Sequence, residues 1–336
     1  FRLNQDYFNY ATGLTMTNEK FNNLFGKKPR NPINEEINEF HMDIAASIQK
    51  VTENIMLKIA KFLRSEYKIE NLCLAGGVAL NCVANGKILK EKIFKNIWIQ
   101  PAAGDAGGSL GAALGYWYNE LNKNRIINEK DAMNCSYLGP EYSNDQIISI
   151  LNDIGAKFKT LGNDDILDFT VEKLIEGKAI GWFQNKMEFG PRALGNRSII
   201  GDARSPDMQK KINLKVKFRE SFRPFAPAVL LEDLHDWFEL DSESPYMLLV
   251  GNVKKNKLKD QTDQQKLAKG LSKLNFIRSE IPAVTHVDNS ARIQTVKKEN
   301  GIYYYLIKKC KEKTGCPVII NTSFNVRGEP PVNTPI

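Results

Sequence analysis

The chain has 336 residues, 42% of them hydrophobic and 26% charged, with a formal charge of +8 and a pI near 9.0. That composition fits an ordinary folded chain of two domains and excludes the low-complexity and collagen-like classes. No run of 18 apolar residues and no signal peptide occur, which argues against a membrane span or secretion. The five cysteines Cys73, Cys82, Cys135, Cys310 and Cys316 are odd in number and include no CxxC pair. Neither a disulfide framework nor a zinc site is suggested, and a reducing cytoplasm fits best. The basic balance favours a polyanionic partner, either nucleic acid or phosphorylated small molecules. Part of the excess lies in Val253–Lys273, which reads as a solvated loop or helix. The chain opens on Phe1 and closes after Pro335-Ile336, as a fragment or a trimmed chain does.

Residues 1–33 are polar and aromatic, with turn signals at Gly26 and Pro29. A long helix is predicted from Asn34, a residue suited to the N-cap. Its buried face would be Ile44, Ile48, Val51, Ile55, Ile59 and Phe62, which recur at helical spacing. The apolar run Leu72–Ala75 predicts a buried strand, and Val78–Lys90 a helix. Strand Ile97–Ile99 and helix Leu110–Leu121 follow, so strand, glycine turn and helix alternate as in an α/β layer. Composition shifts at Asn122–Met133, where a domain boundary is placed. Helices are predicted at Asn144–Asp153, Ile166–Glu176 and Tyr303–Gly315, and strands at Ala179–Phe183, Ala228–Leu231 and Val318–Asn321. Gln184–Ser205 is read as irregular, dense in glycine and arginine. His41 and His235 are given structural roles.

Six stretches carry candidate chemistry. Gly76-Gly77 joins a strand to a helix, where glycines admit a ligand and a helix N-terminus favours phosphate; a plain tight turn is equally compatible. Gly104-Asp105-Ala-Gly107-Gly108 repeats the device. Asp105 could cap the next helix, bind a metal, or orient a ribose or phosphate. In Gln184–Ser198, Lys186, Arg192 and Arg197 crowd around Gly190 and Gly195; guanidinium forks suit phosphate oxygens, against a surface salt-bridge cluster as the plain alternative. In Lys217–Pro227, Lys217, Arg219 and Arg223 alternate with aromatics. That suits nucleic acid, although Phe218 and Phe222 are more simply core contacts at strand spacing. His286, Asp288 and Arg292 gather near one another, and Ser323, Asn325 and Arg327 follow a strand on a glycine-bearing loop.

The blocks "LAGGVALNCVAN", "QPAAGDAGGSLGAAL", "FGPRALGNRSIIGDAR", "FRPFAPAVL", "AVTHVDNSARIQTV" and "NTSFNVRGEP" together resemble, in order, those of the O-carbamoyltransferase family of the nodulation NodU and cephamycin CmcH type. The resemblance implies an α/β chain: a partial actin-like (ASKHA) ATP-binding domain at 1–128, then an α+β YrdC-like domain at 129–336. It implies that ATP and carbamoyl phosphate give carbamoyl adenylate, whose carbamoyl group passes to a hydroxyl of a small-molecule or saccharide acceptor. By resemblance, Gly76, Gly77, Val78 and Asn81 would hold nucleotide, with Ser323 and Asn325, and Asp105 would help hold iron. Lys217, Arg219 and Arg223 would form the basic catalytic element. Lys186, Arg192, Arg197, His286, Arg292 and Arg327 are assigned to carbamoyl phosphate, because two anions brought together need cations to offset their repulsion. Magnesium would accompany ATP. No membrane or nucleic-acid partner and no particular oligomeric state are implied. Two departures stand out. The His-x-x-x-His metal pair of the family's N-terminal lobe is absent, since the histidines are only His41, His235 and His286. Asp288-Asn289 replaces the usual Asp-Gly, and asparagine is expected to tolerate left-handed backbone there. Related readings are a tRNA threonylcarbamoylation enzyme and a nucleotide-binding module without catalysis; a sugar-kinase-like first module is weaker.

Overall fold

The computed structural model describes residues 1–127 and 131–336. The expected boundary at residues 128–129 lies outside the described residues. Two compact units, 1–59 and 60–336, are divided inside a long helix.

In the first unit, helix α1 (Glu19–Phe25) is capped by Asn18, whose side chain accepts from the Lys20 and Phe21 amides. Phe21 packs against Phe8 and Phe25 at ring separations of 6.1 and 4.9 Å. Helix α2 (Glu39–Tyr67) starts later than the predicted Asn34. Asn38 takes the capping place. Its carboxamide accepts from the His41 amide at 3.3 Å, while its own amide donates to His41 Nδ1 at 3.2 Å. This reciprocal pair stabilises the helix start and explains His41. The predicted buried face is a second correction. Ile48, Val51, Ile59 and Phe62 are 61%, 49%, 42% and 60% exposed. Periodicity shows which side is apolar, and of the predicted face only Ile44 and Ile55 are partly covered.

In the second unit, strand β1 (Asn71–Leu74) pairs in parallel with β2 (Asn96–Ile99). Between them the predicted single helix is split. A 3-10 turn at Gly77–Leu80 precedes α3 (Cys82–Lys90), and Asn81 caps α3 by accepting from the Ala84 amide. Helix α4 (Asp105–Gly115) then continues as a π turn to Glu120, starting earlier than predicted. Helices α5 (Asn144–Asp153) and α6 (Asn163–Ile175) lead to strand β3 (Ile180–Phe183).

The supposedly irregular Gln184–Ser205 contains strand β4 (Arg197–Asp202). Helix α7 (Met208–Lys215), strand β5 (Ala226–Leu230), helix α8 (Leu234–Trp237) and strands β6 (Phe238–Glu239) and β7 (Leu249–Val253) follow. The chain continues through helix α9 (Asp263–Leu267), strand β8 (Ser290–Val296), helix α10 (Ile302–Thr314) and strand β9 (Val318–Ser323). The described strands form a seven-stranded mixed sheet in the order β3-β4-β9-β5-β8-β7-β6, in which β5 and β8 run parallel and every other pair antiparallel.

Side chains alternate between the two faces of this sheet. Ile319, Ala228 and Leu230 join Val171, Leu174, Leu306 and Ile307 of α6 and α10. Val318, Ile320 and Val229 join Met208 and Ile212 of α7 on the other side. Each fully buried leucine or isoleucine contributes roughly 1.5–3 kcal/mol, so both faces are firmly covered and the loops at the sheet's ends are held in place. Phe218 and Phe222 are not the predicted core contacts. Their segment is a loop, and Phe218 is exposed with φ of 49°. The aromatic that enters the core there is Phe225. All five cysteines are free thiols.

Candidate active site

The arginine-rich loop between β3 and β4 is organised by one carboxylate. Glu188 is buried, and its Oε1 accepts from the amides of Leu194 (2.6 Å), Asn196 (2.9 Å) and Arg197 (3.3 Å). Gly195 completes the turn at φ of +110°, and a Cβ there would meet the Tyr303 ring at 2.4 Å. Gly195→Ala should therefore cost about 2–4 kcal/mol, from backbone strain plus the clash; a thermal melt checks it.

This loop separates two arginines that are only five residues apart. Arg197 turns inward, donating Nη1 to the carbonyls of Gln184, Asn185 and Asn196 and stacking 3.5 Å from the Phe183 ring centre. It holds the fold together. Arg192 turns outward into a cavity of about 280 Å³, which is also lined by Arg219, Arg223, Arg292, Phe225, Met247, Asn321 and Ser323.

The second wall is the loop after α7. Asn213 is fully buried. Its Nδ2 donates to the carbonyls of Ser221 and Arg223 at 3.2 and 2.8 Å, and its Oδ1 accepts from Arg219 Nε at 2.8 Å. Lys217 points back to the end of β9. Its ammonium donates to the Ser323 carbonyl, to Ser323 Oγ at 3.2 Å and to Asn325 Oδ1 at 2.9 Å. Burial, and then the neighbouring Arg219 charge, push its pKa down to about 8.

β8 supplies the third wall. Burial first, then the Arg192 charge, pull Arg292 down to about 10. Burial also lowers Arg192. Among the described residues, no acidic residue lines the cavity. The Nε atoms of Arg192 and Arg292 and the Oδ1 of Asn321 are buried without a hydrogen-bond partner. Such groups are costly unless a ligand meets them. Four guanidiniums with donors to spare make an anion site, and Asn321 adds an acceptor.

The cavity thus brings together Arg192, Arg219, Arg223, Arg292 and Ser323, with Lys217 and Asn325 bonded to Ser323. The other expected residues lie elsewhere. Lys186 is exposed outside the lining. Arg327 faces Glu220 at 3.9 Å. His286 sits in the turn before β8, with Nδ1 3.1 Å from Ser290 Oγ, and burial lowers its pKa. Asn289 beside it takes the left-handed φ of 64° that its side chain was expected to tolerate. Gly76 adopts φ of 92° and ψ of 161°, a region open essentially to glycine alone. The turn after it reaches the cavity wall, because Leu80 accepts from Arg192 Nη2 at 3.3 Å. Val78 is 60% exposed.

Asp105 is exposed in the first turn of α4, where Gly104 holds the N-cap position. Among the described residues no group of three or more His, Cys, Asp or Glu could hold a metal ion. Asn321 opens the last of the candidate stretches in the sequence but is given no role there, and the structure places it in the lining. The signal was a polar side chain closing an apolar strand, two positions before Ser323.

No helix among the described residues is long and apolar enough to cross a membrane. A 55% identical protein of Synechocystis sp., uncharacterised, aligns with 100% of this chain and 55% of its own length. The nodulation protein NolNO of Sinorhizobium fredii is 40% identical over 88% of the chain and 40% of its own length. The 3'-hydroxymethylcephem-O-carbamoyltransferase of Streptomyces clavuligerus is 29% identical over 86% of the chain and 49% of its own length. The chain therefore spans about half the length of the curated relatives it matches. The family description "Carbamoyltransferase N-terminus" matches residues 1–114 and "Carbamoyltransferase C-terminus" residues 171–336, a range that holds every residue named in the cavity wall. With the two descriptions matched in order over more than four-fifths of its residues, the chain belongs to the carbamoyltransferase family.

Proposed function

We propose that the arginine cavity binds carbamoyl phosphate, and that this chain carries the part of an O-carbamoyltransferase that makes carbamoyl adenylate. The observation that carries the reading is a cavity lined, among the described residues, by four arginines and no acidic residue, with buried donors that have no partner there. In this reading residues 129–336 are a YrdC-like module, and 1–128 belong to an actin-like (ASKHA) ATP-binding domain. Arg192, Arg219, Arg223 and Arg292 take the phosphate oxygens. Asn321 Oδ1 accepts from the carbamoyl amino group, which sets the carbamoyl end apart from the phosphate end. Carbamoyl phosphate gives up its phosphate to water. A carbamate oxygen then attacks the α-phosphorus of ATP, and pyrophosphate leaves. The guanidiniums offset the charge that gathers as the two anions meet. ATP would bring its magnesium with it, and Gly76, Gly77, Val78 and Asn81 would hold nucleotide for the second step. There a hydroxyl of a small-molecule or saccharide acceptor attacks the carbamoyl carbon and AMP leaves. The free thiols suit a reducing cytoplasm.

Lys217 provides the test. Because its pKa stands near 8 in the free protein, its charge falls away as pH rises through that value. Carbamoyl phosphate affinity, measured by calorimetry, should weaken between pH 7 and 9, whereas Lys217→Gln should bind more weakly and with little pH dependence. Stability follows the same group. A depressed lysine costs folding energy below about pH 8, and the cost is relieved as pH rises toward its ordinary 10.5. The wild type should therefore gain on Lys217→Gln across that window. No binding of carbamoyl phosphate at pH 7 by the folded protein would refute the reading.

A further inference from the structure

Two amide side chains fix one another's orientation at the edge of the cavity. Gln294 in β8 and Asn321 in β9 are both buried, and β5 runs between their strands. Gln294 pairs with Ala228 and Asn321 with Ala226, so the four side chains share one face of the sheet. The two alanines are small enough for the amides to meet across β5, where Asn321 Nδ2 donates to Gln294 Oε1 at 2.7 Å. Each amide is anchored by a backbone carbonyl, which can only accept. Gln294 Nε2 donates to the Leu194 carbonyl at 2.8 Å, so Oε1 is the end that faces Asn321. Asn321 Nδ2 gives its other hydrogen to the Ala193 carbonyl at 3.1 Å. The Leu194 carbonyl also accepts from Tyr137 Oη at 2.9 Å, and Asn300 Nδ2 donates to that hydroxyl at 2.8 Å. Turning either amide over would set oxygen against oxygen. Both hydrogens of Asn321 are therefore committed. Its Oδ1, buried without a partner among the described residues, is left as an acceptor. Asn321 lines the cavity and Gln294 does not.

We propose that Gln294 is a positioning residue that holds Asn321 as a fixed acceptor, and that this makes the cavity select acyl phosphates bearing an N–H over those bearing a methyl. The proposal rests on the reading of the cavity as a carbamoyl phosphate site. Carbamoyl phosphate and acetyl phosphate share one shape and differ where an amino group replaces a methyl. The amino group satisfies Oδ1, whereas the methyl leaves that oxygen buried and unpaired. An asparagine free to turn would present its oxygen or its amino group to either ligand, and the distinction would fade.

Calorimetry with the two acyl phosphates reads the preference, and inorganic phosphate reads the arginines alone. The wild type should favour carbamoyl phosphate by roughly tenfold or more. Gln294→Met keeps most of the volume and releases Asn321. It should bring the two acyl phosphate affinities together while leaving inorganic phosphate unchanged. Gln294→Glu keeps an oxygen toward Asn321 and should hold the wild-type preference, a rescue that a packing role alone does not predict. A wild-type preference that persists in Gln294→Met overturns the proposal. So does an equal fall in all three affinities, which would make Gln294 structural. Loss of the preference in Gln294→Glu overturns it as well, so the test stands even if the methionine variant does not fold. Equal affinity of the wild type for both acyl phosphates would end the proposal and leave the carbamoyl phosphate site standing, whereas binding of neither would end both.

Discussion

Arg292→Met should lower carbamoyl phosphate affinity by about 100-fold or more while leaving the melting temperature unchanged or higher. Two charge-assisted hydrogen bonds to a phosphate contribute about 3 kcal/mol or more together, which is that factor in Kd. The stability arm follows from burial. Arg292 is pulled from its ordinary 12.5 to about 10, so its charged form is disfavoured in the fold. The cost is present at neutral pH, is relieved only as pH rises through about 10, and is on the order of 3 kcal/mol. Methionine fills much of the same volume and removes that cost. A variant that loses both affinity and several degrees of melting temperature would make Arg292 a structural residue. Calorimetry and a thermal melt on the same sample decide between the two.

Glu188→Ala should have the largest effect on stability. Its carboxylate accepts from three amides of the arginine loop and offsets the charge of buried Arg197. Removing it leaves buried donors unpaired, at about 1–3 kcal/mol each. A total near 4 kcal/mol corresponds to a drop of roughly 10 °C for a unit of this size. Glu188→Gln keeps one acceptor oxygen and should fall between the two. A shift under about 3 °C for the alanine variant would show that the loop is held by other contacts.

Much of this was legible before the structure was known, where local pattern and final environment agree. Helix α5 lies where it was predicted, and α6, α10, β3 and β9 depart by a few residues, because their apolar residues keep one period and meet one core. β4 escaped notice because Arg197, Ser198 and Asp202 leave only Ile199-Ile200 as an apolar signal. Its strand form comes from pairing with β3 and β9 on either side. The exposed stripe of α2 shows the converse, since amphipathic spacing states what a helix could bury and not what covers it. At the site, charge alone could not separate Arg192 from Arg197. The difference lies in the Glu188 turn and the Phe183 ring, both fixed by tertiary contacts. His286 looked chemical in sequence because its neighbours are polar, yet those neighbours build a turn.

The central claim is that the cavity activates carbamoyl phosphate, and pyrophosphate release tests it most directly. The chain is incubated with ATP and magnesium, with and without carbamoyl phosphate, beside Arg219→Ala. Release that requires carbamoyl phosphate and falls about 100-fold in the variant is the predicted result. Release that ignores carbamoyl phosphate, or that proceeds equally well without the Arg219 guanidinium, would contradict the account.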